Sequence, residues 1–135
     1  MAKMSKQEKF DHWLFFATEC LKVAECLFDA DLWRNSAGFC REAIKKVVNG
    51  LYILYNDDHP PYLNTKKLLL KFSDKLPCTV SDDIYEYFDE IEIFNLFNWY
   101  PNSKQDLFFK QNEEKFEPLF QKTKEVFAWL LTLKP

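Results

Sequence analysis

Only two glycines, Gly38 and Gly50, occur in the 135 residues of this chain. Sandwiches and barrels need glycine at hairpin turns where φ is positive, and a phosphate-cradling loop needs it for close backbone approach. Two glycines are too few for either. The same chain carries 14 Phe, 6 Tyr and 4 Trp, and 47% of it is hydrophobic. That is too rich in large side chains for disorder, and the length suits one compact domain. The expected fold is all-α, an up-and-down bundle of four to five helices spanning residues 1–135 as a single domain.

Local signals place the helices. Ser5, Lys6, Gln7 and Glu8 read as a capping box, and Trp13, Phe16, Ala17, Cys20, Leu21, Ala24, Leu27 and Phe28 then recur on one helical face. A break falls at Asp29, Ala30 and Asp31, because aspartate competes for local backbone donors. A second helix runs from near Leu32 or Asn35 to about Tyr55, with Cys40, Ala43, Ile44, Val47, Val48, Leu51 and Tyr52 as its apolar stripe. Both glycines fall inside it, each costing about 1 kcal/mol relative to alanine. Simple tolerance and close approach of a neighbouring helix are both open readings.

Pro60 and Pro61 close the clearest loop, after which Thr65 is expected to cap a short helix that stops before Pro77. Ser81 caps a fourth, with Asp82 and Asp83 on its positive end and Ile84, Tyr87, Phe88, Ile91, Phe94 and Phe97 facing inward. The last helix is expected from about Asn112 to Leu133, with Phe116, Leu119, Phe120, Phe127, Leu130 and Leu131 inward, and Pro118 either kinking it or marking a later start.

Charge and motif content exclude several chemistries. A net charge of −3 gives no strong field for nucleic acid or an anionic membrane. No run approaches the roughly 18 apolar residues of a membrane span. The polar N-terminus lacks the apolar core of a signal peptide, so a cytoplasmic protein is expected, with Cys20, Cys26, Cys40 and Cys78 as reduced and mostly buried thiols. His12 and His59 lie far apart in sequence, without a partner at ligand spacing, so neither metal nor cofactor is expected. A loop histidine such as His59 can serve as acid or base near neutral pH. The candidate binding groups are the cations Arg41, Lys45, Lys46, Lys66 and Lys67, with His59 and the aromatic pair Trp99 and Tyr100. Charge beside aromatic rings suits a nucleotide or single-stranded nucleic acid. With the second and third helices antiparallel across the proline loop, the end of one would meet the start of the next, leaving Arg41 several turns from Lys66.

The order of these features resembles the HEPN family, the higher eukaryotes and prokaryotes nucleotide-binding domain. Trp13, Ala17, Leu21 and Ala24 stand where that family has a tryptophan and an alanine-rich face. The segment from Ser36 to Lys46 is similar to its small and polar stretch leading to an Ala-x-Glu-Lys core. Arg41 and Glu42 replace a common pair of glutamines, Lys45 replaces the glutamate, and Lys46 retains the lysine. Thr65, Lys66, Lys67 and Leu68 occupy the place of a Thr-His-Asp-Leu element, and Trp99, Tyr100 and Pro101 that of Arg-Tyr-Pro. The resemblance implies a homodimeric helical bundle that binds a nucleotide or a partner protein, such as a small nucleotidyltransferase in a toxin–antitoxin-type pair. The family's ribonuclease branch uses an arginine followed by a histidine at a spacing of four to six residues. Neither Arg34 nor Arg41 is followed by a histidine at that distance, so a non-catalytic member is expected. The alternative is an RNA-cleaving enzyme with a site around His59, Lys66 and Tyr100.

Overall fold

The computed structural model describes residues 3–94 and 116–135. Phe97, Trp99, Tyr100 and the start expected for the last helix lie outside them. Five α-helices are present among the described residues: α1 Lys6–Asp29, α2 Trp33–Asn56, α3 Thr65–Phe72, α4 Asp82–Glu92 and α5 Phe116–Leu131. A single turn of 3-10 helix, Ser73–Lys75, follows α3. The all-helical expectation holds.

The caps form where the sequence places them, with one exception. The Ser5 hydroxyl accepts from the Glu8 amide at 3.1 Å while the Glu8 carboxylate accepts from the Ser5 amide. Ser81 accepts from Ile84 at the start of α4. At α3, however, Asn64 is the cap, its side chain accepting from the Lys67 amide, and Thr65 is the buried first residue of the helix. The two breaks that flank α2 use an aspartate in the left-handed region, Asp31 at φ 62° and Asp57 at φ 48°. Aspartate tolerates that conformation better than most residues do. Pro118 sits in the first turn of the described α5, where a proline costs least.

α2 is the hub of the bundle. Its buried residues extend from Ser36 to Leu54, and α1, α3, α4 and α5 all pack on it. α1 lies antiparallel to it. At one end the Ser36 hydroxyl donates to the Ala24 carbonyl at 2.7 Å, and at the other Gly50 faces Phe10 and Trp13. α5 runs parallel to α2, with the Tyr55 hydroxyl donating to the Leu133 carbonyl. Its first turns meet the end of α1, where Phe28 stacks on Phe120 with centroids 4.5 Å apart. α4 crosses α5 through the Tyr87 and Thr123 hydroxyls, 2.7 Å apart. The four long helices thus alternate in direction.

The short α3 breaks that alternation. The proline loop doubles back along α2 and brings Tyr62 beside Lys45, so α3 runs parallel to α2 and ends with Phe72 against Tyr52 and Tyr55. The antiparallel arrangement expected across the proline loop is therefore corrected. A loop long enough to retrace part of a helix lets the next helix run in the same sense.

On α1 the inward positions are Phe10, Ala17 and Ala24, flanked by half-buried Trp13, Leu14, Cys20, Leu21, Leu27 and Phe28. Phe16, expected inward, is 39% exposed. It lies one residue before Ala17, about 100° around the helix. The thiols also need correcting. All four are free, but only Cys40 is buried, Cys20 is half-buried, and Cys26 and Cys78 are exposed. Burial pushes the Cys40 thiol up to about 12, against smaller opposing effects of hydrogen bonds from Thr123 and Ser36.

The glycine question resolves at Gly50. A β-carbon there would meet Phe10 Cδ2 at 2.9 Å and Trp13 Cβ at 3.2 Å. Trp13 Cβ is fixed to the α1 backbone and cannot rotate away. Replacing Gly50 gains about 1 kcal/mol of helix propensity but forces overpacking that costs about 1–3 kcal/mol. Gly50→Ala is therefore expected to lower the unfolding free energy in denaturant titration by about 1 kcal/mol, and Gly50→Val to lower it further. A more stable Gly50→Ala would contradict close packing. In the native protein a thiol reagent should label Cys26 and Cys78 at once, Cys20 slowly, and Cys40 only on unfolding.

Candidate nucleotide-binding cleft

The cations picked out in the sequence divide into groups in the structure. Arg41, 7% exposed, reaches from α2 between two carboxylates: Nη1 donates to Glu42 at 2.9 Å and Nη2 to Glu92 of α4 at 3.0 Å. Lys46 donates to the second oxygen of Glu42 at 3.0 Å. Arg41 thereby joins α2 to α4, while Lys46 is held on α2 by the carboxylate that Arg41 shares. Lys66 pairs with Asp89 at 2.9 Å, and its ammonium stands 6.0 Å from the Tyr85 ring centroid. Lys67 is exposed on the first turn of α3.

Lys45 is different. It projects from the face of α2 that the proline loop covers, with no carboxylate in ion-pair distance among the described residues and its ammonium 5.9 Å from the centroid of Tyr62. Lys45 and His59 line one cleft of about 190 Å³ with Trp13, Asn49, Pro60 and Tyr62. Asn49 is 9% exposed, and the buried side-chain polar atom without a hydrogen-bond partner among the described residues is Arg41 Nε. Tyr62, at the rim, is 99% exposed. A second cavity of about 170 Å³ adjoins this one through Trp13 and His59 and is also lined by Lys9, His12 and Asp58. The two histidines, far apart in sequence, thus share one cavity.

The structure therefore brings Lys45 and His59 together and leaves Arg41, Lys46, Lys66 and Lys67 outside that cleft, while Trp99 and Tyr100 lie beyond the described residues. Sequence reasoning missed Trp13, Asn49 and Tyr62 as cleft residues. Asn49 gave one signal, a polar residue between Val48 and Gly50 on an otherwise apolar stripe. No group of three or more His, Cys, Asp or Glu side chains capable of holding a metal occurs among the described residues. No helix there is long and apolar enough to cross a membrane.

The HEPN domain model matches residues 10–133 of the chain. The chain belongs to the HEPN domain family. No curated protein and no solved structure gives a significant match. The HEPN match runs from Phe10, the first α1 residue in the core, to Leu133, which accepts from Tyr55. It therefore spans both ends of the packing against α2 and includes every cleft residue.

The Arg41 cluster sets one pH-dependent term in this HEPN domain. Burial pushes the Glu42 carboxyl up. The hydrogen bond from Lys46 and the charges of Lys46, Lys45 and Arg41 outweigh that effect and hold it below the usual carboxylate range. A carboxyl depressed on folding contributes stability above its unfolded pKa and loses it as pH falls through the folded pKa. Denaturant midpoints measured below pH 4.5 should therefore fall less steeply for Glu42→Gln than for the wild type. Equal slopes would show that Glu42 gains nothing from its cations.

Proposed function

We propose that this HEPN domain is a non-catalytic cytoplasmic binding protein. It acts as a homodimer, holds a nucleotide, and docks a partner protein such as a small nucleotidyltransferase in a toxin–antitoxin-type pair. The observation that carries binding over cleavage concerns the arginines. The chain has two, Arg34 and Arg41, and neither is followed by a histidine at the spacing of the family's ribonuclease branch. Arg41 is in addition buried between Glu42 and Glu92, where its charge is spent on joining α2 to α4. A cation able to stabilise developing phosphorane charge has to face the ligand.

Support for the dimer comes from the outer face of α1. Phe15 is 59% exposed and Phe16 39%, and Val23 continues the same apolar strip. The rings pack edge-on, Phe16 against His12 at 4.8 Å and against Phe15 at 5.6 Å. Contiguous exposed aromatic surface of this kind marks an interaction site. A two-fold antiparallel pairing of α1 helices around Phe15 and Phe16 buries this strip against its own copy. Such an interface is isologous and closes on itself.

Light scattering after size exclusion at micromolar concentration should give a dimer, and Phe15→Glu with Phe16→Glu should give a folded monomer. A wild-type monomer would overturn the dimer. Incubation with RNA should leave the RNA intact with both wild type and His59→Ala. Cleavage by the wild type that His59→Ala abolishes would overturn the non-catalytic reading in favour of an enzyme using His59.

A further inference from the structure

We propose that the cleft between α1, α2 and the proline loop is the nucleotide site and that it takes an adenine mononucleotide, an inference that rests on the nucleotide-binding reading above. Three features, carried on α1, α2 and the proline loop, converge there. Asn49 of α2 lines the cleft and is nine-tenths buried. Its carboxamide carries both a donor and an acceptor for a ligand in the cleft. The edge of adenine, an amino donor beside a ring-nitrogen acceptor, is the complement that asparagine pairs with in bidentate fashion. Guanine presents two acceptors on the corresponding edge and leaves the amide half-satisfied.

Lys45 supplies the second feature. One turn before Asn49 on α2, it faces the cleft without an ion-pair partner among the described residues, whereas Lys46 next to it is paired with Glu42. An ammonium one turn from a base-reading amide is placed to meet a phosphate. The third feature is aromatic. Trp13 of α1 forms a wall of the cleft, and Tyr62 of the loop stands fully in solvent at its rim, next to Lys45. An exposed tyrosine loses little by turning onto a base, and stacking then gains contact from either side. A cleft of about 190 Å³ has room for one base and not for a strand of them.

Calorimetric titration of AMP into the full-length protein, with GMP and adenosine as comparisons, tests the assignment. AMP is expected to bind at least about tenfold more tightly than GMP, through the amide pairing, and than adenosine, through the phosphate. Asn49→Ala and Tyr62→Ala should each weaken AMP by about tenfold or more. Tyr62 is fully exposed, so Tyr62→Ala keeps the wild-type melting temperature, and a thermal melt of Asn49→Ala confirms that this variant is folded before its binding is compared. AMP and GMP binding equally, with Asn49→Ala unaffected, would overturn this site and its base preference while leaving nucleotide binding standing. No heat with any nucleotide would overturn both.

Discussion

Everything in this bundle depends on the close approach of α1 to α2 at Gly50. With no β-carbon there, Phe10 and Trp13 settle directly onto the α2 backbone. At the far end of the same seam, Ala24 comes close enough for its carbonyl to accept from Ser36. Ala17, Ala24, Ala37 and Ala43, all fully buried, keep the helices near each other between those points. A seam of small residues gains stability from packing density more than from area. It also fixes the rotation of α1, which turns Phe15 and Phe16 outward and sets Trp13 beside Asn49.

The seam explains why the cleft lies where it does. Trp13 meets Gly50 at its Cβ and lines the cleft. The proline loop then retraces α2 and adds His59 and Tyr62 on the other side of Asn49 and Lys45. Arg41 and Lys46, on the part of α2 nearer α4, are drawn into ion pairs with Glu42 and Glu92. One helix thus carries two kinds of cation, one kind structural and the other, Lys45, facing a cleft.

Features decided within one turn of chain were legible in the sequence. The Ser5 capping box, the Ser81 cap and the break at Asp29 to Asp31 depend on neighbours a few residues away. The inward stripes of α2 and α4 followed from periodicity for the same reason. What two elements decide together was harder to read. Gly50 could not be distinguished from a tolerated glycine until Phe10 and Trp13 stood against it. The expected inward place of Phe16 failed because a helix with an apolar residue on almost every side does not say which side the partner takes. The Asn64 cap on α3 was obscured by Thr65, which has the same local capacity. Lys45 and Lys46 are adjacent in sequence, and only the fold separates their roles, through a carboxylate on one side of α2 and a folded-back loop on the other. Asn49 was visible as a polar interruption, but its place in a cleft is set by the proline loop that folds back beside it.

The most direct measurement is an NMR titration that follows the side-chain amide of Asn49 and the indole N–H of Trp13 while AMP is added to the full chain. If the α1–α2 seam builds the ligand site, the two signals move together and saturate at one nucleotide per chain. AMP-dependent shifts that spare both signals and fall elsewhere in the bundle would contradict it.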